Sequence, residues 1–65
     1  MSGSDIWSDA PGVDRDSETR VRLTFGRMTA DAFLQHDTAD IAHYTDLPFR
    51  KVEQLKREVK RAMNS

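Results

Sequence analysis

The fold of this chain is decided by residues 41–55, which have the sequence IAHYTDLPFRKVEQL. Pro48 divides the stretch, because proline disfavours helix at the preceding Leu47 and suits the first position of a following helix. Apolar residues recur at helical spacing on both sides of this break. The stretch therefore predicts one helix over residues 38–46 and a second over residues 48–63, joined by a tight turn.

Signals within both predicted helices support this division. Asp37 or Thr38 can cap the first helix, because a side-chain oxygen there accepts hydrogen bonds from the unpaired amides of the first turn. In the second helix, Val52, Leu55 and Val59 form an apolar stripe. Each helix is therefore expected to bury one side.

The spacing of the apolar residues resembles a bacterial helix-turn-helix motif. That family has an aliphatic residue followed by alanine in the first helix, an apolar residue after the turn, and two further aliphatic residues in the second helix. The corresponding residues here are Ile41, Ala42, Leu47, Val52 and Leu55. Asp46 stands where the family usually has glycine, and aspartate tolerates left-handed backbone better than most residues. The resemblance implies a bacterial or phage DNA-binding domain with residues 48–63 as its recognition helix.

The outward side of this helix carries the candidate binding residues. A helical wheel places Arg50, Gln54, Arg57 and Arg61 together, opposite the apolar stripe. Arginine can contact guanine edges or phosphates, and glutamine can pair with adenine. Phe49 could contact a thymine methyl group, anchor a protein interface or pack at the edge of the core. The predicted DNA-binding residues are therefore Phe49, Arg50, Gln54, Arg57 and Arg61. The alternative is an ordinary solvated face, supported by a pair between Glu53 and Arg57.

Charge is distributed unevenly along the chain. The net charge of the 65 residues is −1, but residues 1–19 carry −4 and residues 47–65 carry +4. Either the C-terminal part contacts an anion, or the acidic N-terminal part masks it, or both are solvated surface. Residues 1–16 are rich in Ser, Asp, Gly and Pro, which predicts a flexible acidic arm before a helix-turn-helix domain of residues 17–65. We expect Trp7 to be a tail residue, with docking onto the folded part or a partner as alternatives.

A further helix, before these two in the chain, is predicted over residues 17–36 and is capped by Asp16 or Ser17. Apolar residues occupy two of its sides, so the helix is expected to be either enclosed in a larger core or shared with a second subunit, and the short chain favours the second arrangement. The expected fold is all-α, a small three-helix helix-turn-helix domain. Residues 19–25 also alternate between polar and apolar, which is typical of a strand. Since a lone strand would need its copy in a dimer, the alternative fold is a ribbon-helix-helix dimer.

Several function classes lack support in the sequence. There is no cysteine and no glycine-rich phosphate loop, and we predict neither an enzyme nor a cofactor. His36 and His43 flank Asp40, but a helix break near Asp37 makes a cap or surface role the expected one rather than metal binding. No apolar run is long enough to span a membrane, and no signal peptide is recognisable, so we expect a cytoplasmic protein.

Two functions remain open. The first is a small transcriptional regulator, such as a repressor, that binds double-stranded DNA as a homodimer, because one recognition helix rarely supplies enough affinity. The second is a helix-turn-helix module that binds a regulatory protein as an antiactivator or inhibitor of the kind encoded by phages and mobile elements. Four acidic residues before the recognition helix would repel DNA phosphates and favour the second function: Asp31, Asp37, Asp40 and Asp46.

Overall fold

The computed structural model describes residues 6–64, including every side chain except those of residues 6 and 9. The elements in chain order are a 3-10 helix Ile6–Asp9, α1 Arg15–Phe25, α2 Ala30–Gln35, α3 Thr38–Thr45 and α4 Phe49–Asn64. Residues 6–64 contain no strand, which confirms the all-α class. Residues 6–64 contain four α-helices rather than the expected three, because the helix predicted over residues 17–36 is divided into α1 and α2.

The break lies between Gly26 and Thr29. Gly26 ends α1 with φ 75°, a left-handed conformation that favours glycine, and its amide donates to the Arg22 carbonyl oxygen. The side chain of Thr29 then caps α2 by accepting a hydrogen bond from the Ala32 amide at 3.1 Å. The two apolar sides that suggested a shared helix therefore belong to two helices of one chain, and both helices bury residues in the same core.

The strand predicted for residues 19–25 is wrong, and with it the ribbon-helix-helix alternative. The stretch lies inside α1, where Ser17 and Val21 are buried one turn apart while Leu23 is 82% exposed. A strand would have placed Val21 and Leu23 on the same face. The helix starts at Arg15, two residues before the predicted start at residue 17, and its cap is Asp14 instead of Asp16 or Ser17, because the Asp14 carboxylate accepts from the amide and the hydroxyl of Ser17.

The N-terminal segment is part of the core, contrary to the expectation of a free arm. Trp7 is fully buried and stacks on Phe33 of α2, with ring centroids 4.8 Å apart and planes inclined by 14°. Ala10 is also buried, and the 3-10 helix packs against both α2 and α4. The expectation for Trp7 as a tail residue is therefore wrong, because its indole fills the space between the helices. The predicted arm residues 1–5 lie outside the described residues.

The segment around the predicted turn folds as expected. α3 ends at Thr45, and the backbone of its C-cap residue Asp46 is left-handed with φ 60° and ψ 30°. Pro48 precedes α4, and its carbonyl oxygen accepts from the Lys51 and Val52 amides. Arg20 of α1 donates to the Thr45 carbonyl oxygen at 3.3 Å, which supplies a partner for the C-terminal end of α3. α3 is thus fixed against α1, and α4, which follows after residues 46–48, packs on α3.

One apolar core joins all the elements. It contains Trp7, Ala10, Val21, Ala30, Phe33, Ile41, Val52, Leu55 and Val59. The apolar stripe predicted for the last helix is therefore buried as expected, and Ala42 and Leu47 pack against it in half-buried positions. Within residues 6–64, no helix combines the length and the apolar composition that crossing a membrane requires.

Candidate nucleic-acid interface

The outward face of α4 is the candidate interface, and we call its residues Arg50, Gln54, Arg57 and Arg61 the α4 stripe. The three arginines are exposed and Gln54 is half-buried. At 3.6 residues per turn the four side chains lie within about 60° of one another around the helix axis. Val52, Leu55 and Val59 occupy the opposite, buried side. The structure therefore brings the four predicted residues together on one accessible surface.

Within residues 6–64, no carboxylate forms an ion pair with the guanidinium groups of this stripe. Among residues 6–64, Arg50, Arg57 and Arg61 form no ion pair, so the expected support pair between Glu53 and Arg57 is not present. Gln54 accepts a long hydrogen bond from the Lys51 ammonium at 3.5 Å. The planar donors of the arginines therefore remain available to a ligand.

Two lysines of the same helix are occupied within the fold instead. The Lys51 ammonium lies 2.8 Å from the Asp14 carboxylate. This contact, together with the hydrogen bonds from Ser17, holds the pKa of Asp14 well below its usual range. Lys56 donates to the carbonyl oxygen of His36 at the end of α2. The charge of α4 is thus divided between Lys51 and Lys56, which contact other elements, and the exposed cations Arg50, Arg57, Lys60 and Arg61.

The N-terminal segment runs along one flank of α4. Gly12 packs directly against the side chain of Glu58, where an added Cβ would collide with that side chain. Pro11 lines a depression together with Glu58, Arg61 and Ala62. Since Lys51 contacts Asp14 on the same side, residues 10–14 cover this flank. Of the α4 stripe, Arg61 borders the depression, and within residues 6–64 all three arginines stay exposed.

Phe49 lies at the start of α4, on the other flank. Its side chain is 49% exposed, so it is not a core residue. A wheel at 3.6 residues per turn places it about 100° from Arg50, at the edge of the outward face. Of the five predicted DNA-binding residues, Phe49 is therefore the one that the geometry separates from the other four.

Four exposed aspartates lie on the elements that precede the candidate interface, namely Asp31, Asp37, Asp40 and Asp46. Asp37 occupies the N-cap position of α3, but its side chain makes no capping hydrogen bond. In the described part of the chain none of the four forms an ion pair with lysine or arginine. Their negative charge is therefore presented to solvent rather than neutralised within the fold.

A row of aromatic rings on the surface was not foreseen from the sequence. The Phe25 ring lies 5.0 Å from the His36 ring and meets Tyr44 edge to face at 6.3 Å. Tyr44 in turn lies 5.1 Å from His43 and is 62% exposed. Across residues 6–64, no three histidine, aspartate or glutamate side chains are placed to hold a metal ion. The rings meet where the C-terminal ends of α1, α2 and α3 come together in the fold. The spacing of these residues along the sequence does not predict such a contact.

No protein-family model, no curated protein and no solved structure matches this chain.

Proposed function

We propose that this chain is a small DNA-binding transcriptional regulator in which α3 and α4 form a helix-turn-helix and α4 is the recognition helix. The observation that carries the proposal is the α4 stripe. Three exposed arginines and a glutamine share one side of a helix, no carboxylate engages the arginines within residues 6–64, and the opposite side is buried. Such a surface matches the acceptor-rich edge of a major groove.

The dimensions of α4 fit this role. An α-helix with its side chains is about 10–12 Å wide, close to the roughly 12 Å width of the major groove. Arg50 and Arg61 are separated by about 16 Å along the helix axis, which corresponds to about five base pairs. In the proposal the arginines contact guanine edges or phosphates, and Gln54 pairs with adenine. Phe49, at the edge of the face, would contact a thymine methyl group.

The turn supports the same scaffold. Residues 46–48 connect α3 to α4, and helix-turn-helix units are joined by three or four residues. Ile41, Val52 and Leu55 are fully buried between the helices. The left-handed backbone of Asp46 takes the place that glycine usually has in the family that the sequence resembles.

We further propose that the regulator acts in the cytoplasm as a homodimeric repressor. The reason for the dimer is affinity, because a stripe of about five base pairs reads only half of an ordinary operator. Light scattering of the purified protein, alone and with DNA, measures its oligomeric state. A protein that stays monomeric on DNA would contradict the dimer without affecting the role of α4.

Fluorescence anisotropy with a labelled random-sequence duplex tests DNA binding. We expect binding at about 50 mM salt that weakens steeply towards about 200 mM, because phosphate contacts release counterions. The double variant Arg50→Ala with Arg57→Ala should lose most of this binding. Arg27→Ala is the control, because it removes an exposed arginine from the α1–α2 connection. The proposal fails if the native chain does not bind at low salt, or if Arg27→Ala weakens binding as much as the double variant does.

A second candidate function is binding to a regulatory protein as an antiactivator or inhibitor of the kind encoded by phages and mobile elements. The observation that favours it is the combination of exposed apolar and aromatic side chains with four aspartates that form no ion pair within residues 6–64. Leu23 is 82%, Tyr44 62% and Phe49 49% exposed. Aromatic residues are enriched at protein interfaces, whereas the aspartates would repel DNA phosphates. Absence of DNA binding at low salt in the experiment above supports this function.

A further inference from the structure

A carboxylate lies within the outward face of α4. Glu53 is exposed, and a wheel at 3.6 residues per turn places it about 40° from Arg57 and about 60° from Arg50. Arg57 follows Glu53 by four residues and Arg50 precedes it by three, and side chains at these spacings are neighbours on a helix surface. Within the described residues Glu53 nevertheless pairs with neither of them, so its charge stays open to a ligand.

The second glutamate of α4 has a different environment. Glu58 is half-buried and lies under Gly12 on the flank that the N-terminal segment covers. α4 therefore carries two glutamates, Glu53 on its outward face and Glu58 against the N-terminal segment. Only Glu53 is placed to meet what the α4 stripe contacts.

The chemistry of a carboxylate limits what it can face in a major groove. Ionised glutamate only accepts hydrogen bonds. Guanine presents two acceptors at its major-groove edge and thymine presents an acceptor and a methyl group, so neither offers Glu53 a donor. Cytosine N4 and adenine N6 are the amino groups that donate there. Opposite any other base the carboxylate would be desolvated without a partner.

We propose that Glu53 is a specificity-determining residue, which accepts a hydrogen bond from a base amino group, cytosine N4 or adenine N6, in the major groove. The inference rests on the proposed DNA binding and adds a base preference to it. Glu53 would then restrict the sites that the arginines bind, because arginines alone also hold any duplex through its phosphates.

Selection from a random duplex library, followed by sequencing, tests the assignment. The native chain should enrich sites in which one position is dominated by cytosine or by adenine, and the identity of the base shows which amino group is bound. In Glu53→Ala the preference at this position should fall by roughly 5- to 150-fold, the usual effect of one mismatched pair, while the other positions keep theirs. Glu58→Gln is the matched control, since it removes one negative charge from the same helix and should leave every position unchanged.

The outcomes separate the two proposals. An unchanged site for Glu53→Ala, with a defined site for the native chain, overturns the role of Glu53 and leaves DNA binding intact. The same loss of preference in Glu58→Gln also overturns it, because net charge would then be the cause. If the native chain enriches no site, sequence-specific binding fails and the inference fails with it. Glu53→Gln provides a further arm. It should weaken a preference for cytosine, because the added amide N–H can also donate to guanine or thymine, but retain one for adenine, because glutamine pairs with adenine.

Discussion

Replacing Trp7 with alanine tests whether the N-terminal segment belongs to the folded unit. The indole is fully buried and stacks on Phe33, and the 3-10 helix that carries it packs on α2 and α4. Truncation would leave a cavity between these helices, because the surrounding side chains can collapse only in part. We therefore expect a loss of stability from a residue that the sequence pattern assigns to a tail.

The expected loss is large compared with the stability of so small a domain. A buried tryptophan side chain removes about 200 Å² from water, which is worth about 5 kcal/mol at 25 cal/mol per Å². Measured truncations of buried Phe or Trp to Ala cost about 3–5 kcal/mol. A chain of 65 residues is expected to have a free energy of unfolding of about 3–10 kcal/mol. Trp7→Ala should therefore remove from about a third to all of it, and Trp7→Phe, which keeps a ring against Phe33, should cost about 1–2 kcal/mol.

Urea unfolding followed by far-ultraviolet circular dichroism measures these differences without depending on tryptophan fluorescence. Leu23→Ala is the matched control, because this leucine is 82% exposed and its truncation should change the free energy of unfolding by less than about 0.5 kcal/mol. If Trp7→Ala unfolds at the same urea concentration as the native chain, the buried indole does not stabilise the fold. Residues 1–16 would then behave as the free arm that their composition suggests.

Two further predictions concern the ends of α1 and α3. Asp14→Asn should lower the free energy of unfolding at pH 7 by about 1 kcal/mol, because it weakens the cap on Ser17 and removes the ion pair with Lys51. Since folding lowers the pKa of Asp14, this contribution is complete above its unfolded pKa of about 3.9 and is lost as the pH falls below that value. The difference between the native chain and the variant in urea titrations should therefore narrow from about pH 4 towards pH 2, and a constant difference would contradict the assignment. Asp46→Gly should raise the free energy of unfolding by about 0.5–1 kcal/mol, and Asp46→Ala should lower it, because the backbone at this position is left-handed. Thermal unfolding measures both, and a stabilising alanine would show that the position is not left-handed in solution.

The last two helices could be predicted because their signals are local. Pro48 marks the start of α4, and the three-to-four-residue recurrence of Val52, Leu55 and Val59 identifies its buried side. The outward position of the α4 stripe follows from the same periodicity. Asp46 could be recognised as a left-handed position because few residues other than glycine, asparagine and aspartate adopt that backbone readily.

The break within the first predicted helix was harder to recognise. Residues 17–36 show helical periodicity throughout, and a single glycine inside such a pattern usually weakens a helix without ending it. Gly26 ends α1 because its left-handed backbone turns the chain and the Thr29 side chain then caps a new helix. This choice depends on packing, since Phe33 reaches Trp7 only if α2 leaves the direction of α1.

Local patterns were enough to favour a helical fold and to predict the turn at residues 46–48 and the two sides of α4, because each depends on residues within a few positions of one another. Packing of the whole chain was needed to exclude the strand alternative and to show which distant residues meet. Trp7 stacks on Phe33 in the core, and Asp14 forms an ion pair with Lys51. Gly12 covers Glu58, whereas Glu53 stays exposed. These contacts join residues 26 to 46 positions apart in the chain, and no local periodicity records them. They arise because one shared core is needed to bury the apolar side of every helix.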